Sequence, residues 1–251
     1  MPYWSSPAAL FPSPDDALMF EALGFLTVLG GARRPTGRAL RWFPVVGALI
    51  GAAVGGVWWS ADQAFPPLLA GGLALAADLA ITGLLHLDGL ADTADGLLPH
   101  ADRDRRLAIM RAPDVGAFGV ATVAGVLLLR FAAFASQSPD VLLVVALWAA
   151  VRTVVAVAPA FLTYVRDEGI ATPMLAQPVA RWPLVALGPA IALAVLGIGA
   201  PGAAAVVAAV IAAVGVLLLA RQRLGGFTGD VLGAAIVLAE TVGLVVAGAR
   251  W

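Results

Sequence analysis

The 251-residue chain contains no cysteine. Disulfides, zinc–thiolate centres and thiol nucleophiles are therefore excluded. Lysine is also absent, and all 15 basic residues are arginine. We read this as composition bias, although guanidinium forks also suit phosphate better than ammonium does. Charge of either sign is scarce, at 12% of residues, against about 25% in soluble domains. Most of the surface therefore does not face water. The formal net charge is -1, so nothing in the global balance points to nucleic acid, and no nucleic-acid partner is expected. The first residues lack a basic n-region, and no small-residue cleavage site follows a short apolar core. No cleaved signal peptide is expected.

Apolar residues, by contrast, are plentiful: 61% of the chain, with a mean hydropathy of +0.94. The fold class expected is all-α, a polytopic transmembrane helix bundle in the lipid bilayer forming a single integral membrane domain over residues 1–251. Residues 1–14 hold four of the 17 prolines and read as irregular. Residues 15–30 open on Asp15 and Asp16, carry Glu21 and fall short of the roughly 20 residues a span needs. They read as an interfacial or re-entrant helix. About seven spans follow, near 42–59, 67–87, 117–135, 141–160, 184–200, 203–220 and 231–249. Abundant glycine and alanine suit close helix packing in lipid.

Charge sorts the loops. The 33–41 loop carries Arg33, Arg34, Arg38 and Arg41, and the 88–116 loop carries Arg103, Arg105, Arg106 and Arg111. The 163–182 loop has Arg166 and Arg181, and the 221–230 loop has Arg221 and Arg223. The intervening connections carry no arginine. The positive-inside rule places the basic loops in the cytoplasm and the protein in the cytoplasmic (inner) membrane. Arg250, at the far end, is the single exception.

One stretch concentrates chemistry: His86-Leu-Asp-Gly-Leu-Ala-Asp-Thr-Ala-Asp-Gly96. Asp88, Asp92 and Asp95 follow an i, i+4, i+7 spacing, which puts them on one helical face. Like charges that close repel, and a divalent cation offsets the repulsion. All-oxygen ligands suit magnesium or manganese rather than zinc. A solvated acidic loop is the plainer alternative, but these aspartates are embedded in Gly, Leu and Ala. The pattern is not an EF-hand. The reading is a carboxylate-held metal at the edge of a bilayer, set for phosphoryl transfer. His86 at helical spacing points away from the aspartate face and serves as an orienting group, a proton acceptor or a structural histidine. His100 reads as solvated.

Residues 102–111 read as a short amphipathic helix on the membrane surface. It anchors the positive side, and Arg106 and Arg111 are the candidate grips on substrate phosphate. Gly225, Gly226, Thr228, Gly229 and Asp230 open the last span in a glycine-rich turn of a kind that wraps phosphate or metal, or that merely links two helices. Asp78, Arg130, Arg152 and Glu240 fall inside apolar spans. Structural pairing is expected, with Arg152 set against Asp78 or Glu240.

Taken together these motifs resemble the cobalamin synthase family, the adenosylcobinamide-GDP ribazoletransferases. His86 to Gly96 is similar to the family signature. Phe25-Leu26-Thr27 and Phe43-Pro44-Val45-Val46-Gly47 resemble its opening. Arg106 to Arg111 and Gly116-Ala117-Phe118-Gly119-Val120 resemble its central loop, and Gly225 to Gly233 its C-terminal motif. Ala112-Pro113-Asp114 departs from the Asp-Ser-basic pattern of that loop, and Ala235-Ile236 stands where a more polar pair is usual. The resemblance implies transfer of the adenosylcobinamide phosphate of adenosylcobinamide-GDP to α-ribazole, or to its 5′-phosphate. GMP is released and magnesium required. It implies Asp88, Asp92 and Asp95 as the metal and catalytic set, with His86 and Asp230 nearby. The partners implied are the corrinoid nucleotide and the ribazole, and a homo-oligomer or an association with other enzymes of the pathway is compatible with it.

Two rival readings fit the residues less well. Membrane phosphotransferases of the CDP-alcohol type also use spaced aspartates, but place an Ala-Arg after Asp-Gly that Leu90-Ala91 lacks. A secondary transporter would hold its ion site near the bilayer midplane on broken helices, whereas these acids cluster past the end of a span.

Overall fold

The computed structural model describes residues 14–30, 36–166, 172 and 180–250. Residues 1–13 of the 1–14 stretch read as irregular, and Arg33 and Arg34 of the first basic loop, lie outside the described residues, and Pro14 begins a helix. The described chain is helical, with one isolated bridge between Tyr164 and Phe227. The helices are α1 (Pro14–Leu26), α2 (Phe43–Asp62), α3 (Pro67–Thr82), α4 (Leu85–Leu97) and α5 (Arg103–Ile109). They continue as α6 (Ala117–Ala135), α7 (Val141–Val157), α8 (Leu187–Ile198), α9 (Ala200–Leu224) and α10 (Gly229–Ala247).

Helix starts follow local chemistry. Prolines occupy the first turns of α2, α3 and α9, where a missing N–H costs nothing. Asp140 caps α7 by accepting from Leu143 N at 2.7 Å. Thr228 caps α10 by accepting from Val231 N at 3.3 Å. The 13-residue α1 is too short to cross a bilayer, as expected of an interfacial helix.

The path alternates between two ends. Asp78 of α3 meets Arg130 of α6 while Gly71 meets Ala135, and Gly47 and Gly51 of α2 lie against Trp148 and Val144 of α7. Both pairs are thus antiparallel. Five helical stretches are long and apolar enough to cross a membrane: Ala39–Asp62, Ala117–Ala135, Val141–Ala160, Ala200–Leu224 and Gly229–Ala247. Counting the bent pair α3 and α4 as one makes six. The seven expected spans differ from this at two places. The expected 67–87 span stops at Thr82, because Gly83 (φ 60°) and Leu84 (φ 63°) are both left-handed. Two such residues cannot continue a right-handed helix, and α4 leaves α3 at 88°. The expected 184–200 span is the 12-residue α8 after a 3₁₀ turn, joined to α9 through Gly199.

The central helix is α7, most of whose residues are buried. Outward faces carry Leu128, Leu129, Ile211 and Leu218, an apolar surface that only lipid satisfies. This is a multi-pass membrane protein. Inside the bundle, Arg130 pairs with Asp78 and with Glu240 (2.9 Å), and donates to Thr241 Oγ1 at 2.9 Å. Trp148 Nε1 donates to Asp78 at 3.1 Å. Arg152 pairs with Glu240 rather than Asp78. The expected structural pairing is therefore a network tying α3, α6, α7 and α10. Two arginines balance two acids in a medium where an unpaired charge is costly.

Candidate active site

One end of the bundle gathers α4, α5, the start of α10 and the segment 158–166. The aspartate motif is helical throughout, as the spacing predicts, but its three acids have different partners. Asp95 is buried and accepts from Gly116 N at 2.6 Å and Gly119 N at 2.9 Å. It fixes the first turn of α6, a stabilising place for a carboxylate at a helix N-terminus. Asp88 and Asp92 instead face the start of α10. There Gly89 crosses so close that a Cβ would stand 2.8 Å from Asp230 O.

Asp230 takes the third place. Its Oδ2 forms an ion pair with Arg166 Nη2 at 2.6 Å, and the same nitrogen donates to Met110 O at 2.9 Å. Arg166 is held there by a short two-way pairing: Phe227 N donates to Thr163 O at 2.9 Å, and Val165 N to Phe227 O at 3.0 Å. Turned 88° from α3, α4 lies outside the five spans. Burial pushes the Asp92 carboxyl up to about 7; the neighbouring charges of Asp230 and then Asp88 add to the shift, and Arg166 opposes it.

The other expected site residues divide. His86 does not point away into packing alone: it is buried, and lines one cavity with Asp88, Tyr164, Arg166 and Asp230. Gly229 also reaches this cavity. Gly225 (φ 81°) ends α9. Gly226 is packed against Thr163 O, where a Cβ would collide. Thr228 is a buried helix cap that also donates to Asp230 at 3.2 Å. These three shape the turn that presents Asp230 rather than wrapping a phosphate themselves.

Arg106 is a correction. It is buried, and its Nη1 donates to Gly96 O and Leu97 O, both at 2.8 Å. It closes the C-terminus of α4, where a cation meets the orphan carbonyls and the negative end of the helix dipole. Arg223 adds a bond to Leu97 O, and Arg103 caps α9 at Leu224 O. Arg111 remains exposed, and its charge reaches Tyr164. Sequence reasoning missed Arg166 as a site residue, since it counted only toward loop charge. The alternation Tyr164, Val165, Arg166 was the only local signal of a short extended segment.

Among the described residues, no three His, Asp or Glu side chains stand close enough to hold one metal ion. The expected Asp88–Asp92–Asp95 metal cluster is thus not gathered, because Asp95 is spent on α6. Magnesium needs fewer protein ligands: it usually takes one or two carboxylates, keeps waters and is completed by substrate phosphates. Asp88, Asp92 and Asp230 are oxygen donors on facing elements, and burial together with the charges of Asp230 and Asp88 lifts the Asp92 carboxyl to about 7. That donor set fits a hard cation.

A family model described as cobalamin-5-phosphate synthase matches residues 18–248. An adenosylcobinamide-GDP ribazoletransferase of Bradyrhizobium diazoefficiens is 38% identical over 240 residues, covering 91% of this chain and 92% of its own. That of Leptothrix cholodnii is 42% identical over 214 residues, 80% of each chain. That of an Escherichia coli strain is 34% identical over 241 residues, 91% of this chain and 98% of its own. No solved structure matches.

Proposed function

The chain belongs to the cobalamin-5-phosphate synthase family, and from that premise we propose how its site works. The protein is an adenosylcobinamide-GDP ribazoletransferase. A ribose hydroxyl of α-ribazole, or of its 5′-phosphate, attacks the phosphorus that carries the cobinamide. The bond from that phosphorus to the bridging oxygen breaks, and GMP leaves with that oxygen. The products are adenosylcobalamin, or its 5′-phosphate, and GMP.

The observation that supports this site is the convergence of Asp88, Asp92 and Asp230 beside Arg166 at one end of the bundle. Phosphoryl transfer asks a protein mainly for charge neutralisation and in-line positioning. Bound magnesium would neutralise the diphosphate, held by carboxylates drawn from Asp88, Asp92 and Asp230. Arg166 keeps Asp230 in place and sets a guanidinium beside the acids. Arg111 is the exposed arginine nearby and the grip we assign to the outer phosphate. His86 lines the cavity with Asp88; burial, then the charges of Arg152 and Arg130, hold its imidazole down at about 3, so we assign it to orient the acceptor as a neutral ring and leave the hydroxyl proton to one of the carboxylates. Arg103, Arg106, Arg166 and Arg223 make their contacts at this end, which favours the cytoplasmic face of the inner membrane, where water-soluble substrates arrive.

The test is direct. Purified protein in lipid, given adenosylcobinamide-GDP, α-ribazole and magnesium, should release GMP and form the corrinoid product in equal amounts. A folded preparation that releases no GMP rejects the assignment.

A further inference from the structure

The cavity beside the acids has a mixed lining. Its polar members are His86, Asp88, Tyr164, Arg166 and Asp230. Its apolar members are Phe25, Leu85, Val155, Leu232 and Ile236. Its enclosed volume is about 100 Å³, below the roughly 300–1,000 Å³ of pockets that take a whole drug-sized ligand, which is room for one flat ring rather than an entire substrate. Val155, Leu232 and Ile236 are each no more than 3% exposed, so they form a dry floor. Two aromatic rings also line the cavity, each packed against a second ring. Phe25 stacks on Phe43 with centroids 5.7 Å apart and planes at 24°. Tyr164 meets Phe227 edge to face at 5.6 Å and 67°. Rings fixed by packing offer a preformed surface.

Each group of the two substrates can be set against these walls. A corrin macrocycle with its amide side chains is too bulky for the space. Guanine can turn one edge to Asp88 or Asp230, but it carries polar atoms on both of its rings, and Val155, Leu232 and Ile236 offer the rest no partners. The benzimidazole of α-ribazole is flat and apolar, and its sugar carries hydroxyls. It suits both kinds of lining, an apolar ring for Val155, Leu232 and Ile236 and hydroxyls for Asp88 and Asp230.

We propose that this cavity is the acceptor pocket, taking the aromatic base of the ribazole, with Phe25 of α1 and Tyr164 of the 158–166 segment as its specificity-determining walls. The proposal rests on the function given above. It also accounts for the N-terminal helix, since α1 does not cross the membrane but brings a ring to the site. Base choice then becomes a matter of apolar fit and stacking rather than of hydrogen-bond readout.

Two measurements test it. Phe25→Ala should raise the KM for α-ribazole about tenfold, the scale of a lost apolar contact, and leave the KM for adenosylcobinamide-GDP within about twofold. Phe25→Leu should fall between. A larger rise in the corrinoid KM, or equal rises in both, overturns the assignment. Should the variant fail to fold, the wild-type protein decides. A photoreactive azidobenzimidazole riboside should label Phe25, Tyr164 or the floor residues, and α-ribazole should block that labelling while GDP does not. Labelling elsewhere, or protection by GDP alone, overturns the pocket. Wild-type protein that releases no GMP defeats the proposed function itself. Release of GMP with labelling elsewhere defeats only the pocket.

Discussion

Arg166 and Asp230 meet across two separate connections, Nη2 to Oδ2 at 2.6 Å, with side chains 16% and 18% exposed. The pair couples the segment after α7 to the first turn of α10 and leaves one guanidinium among several acids. Its loss should matter more to chemistry than to folding. Arg166→Ala should lower GMP release by about 10²–10³, the cost of removing one preorganised charge partner at a phosphoryl-transfer site. Arg166→Lys should recover part, since the charge stays but a compact ammonium cannot reproduce the guanidinium fork. Steady-state rates with a melting curve for each variant check both statements.

Asp92 gives a pH signature. Its carboxyl is pushed up to about 7 by burial, then by Asp230 and Asp88. The folded, cation-free protein therefore holds this proton more tightly than the unfolded chain, whose carboxyl titrates near the ordinary 3.8. Stability from this group is lost as pH rises from about 4 through 7. Without magnesium the melting temperature should fall over that window, and Asp92→Asn should flatten the slope. Magnesium needs the ionised carboxylate, so its binding should release protons near pH 7. Its affinity should weaken below that pH, by about tenfold per unit if one proton is displaced. Calorimetry in buffers of different ionisation heat reads this. The same variant should be inactive while remaining folded.

Asp95 separates a structural carboxylate from a metal ligand. Asp95→Ala strands two backbone N–H groups at the start of α6 and should cost about 1–3 kcal/mol, read as thermal unfolding in detergent. Asp95→Asn keeps one good acceptor oxygen and should cost less, with magnesium binding retained. If Asp95→Asn keeps its stability and loses magnesium, Asp95 belongs with the ligands after all.

Arg130 tests the buried network. Arg130→Met leaves Asp78 and Glu240 facing each other's charge without their shared partner, a loss of about 3–5 kcal/mol for a broken buried pair. Adding Asp78→Asn should restore part of it by removing the stranded charge, since Glu240 keeps Arg152 as its partner. Unfolding curves of the single and double variants in the same detergent decide.

Much of this protein is set by patterns that neighbours along the chain enforce. Apolar runs long enough for a bilayer account for most of the helices. Arginine placement ordered the loops, and the i, i+4, i+7 aspartates proved helical. Such signals are readable because the contacts behind them lie within a turn of helix, or depend on lipid rather than on another segment. Where a short-range rule was stretched, it misled. The apolar run 67–87 hides a break at Gly83 and Leu84, since hydropathy does not register backbone handedness.

What the residues alone could not decide is which partner each charge would find. Asp95 looks equivalent to Asp88 and Asp92 until α6 delivers the amides of Gly116 and Gly119 to it. Arg106 looks like a substrate grip until α4 ends beneath it with unpaired carbonyls. Arg166 looks like loop charge until Phe227 pairs with its segment and draws it to Asp230. Each outcome depends on helices far apart in the chain arriving at one end of the bundle. Composition determined the solvent and the helices, and packing determined which ionised groups were neutralised by structure and which were left for a ligand.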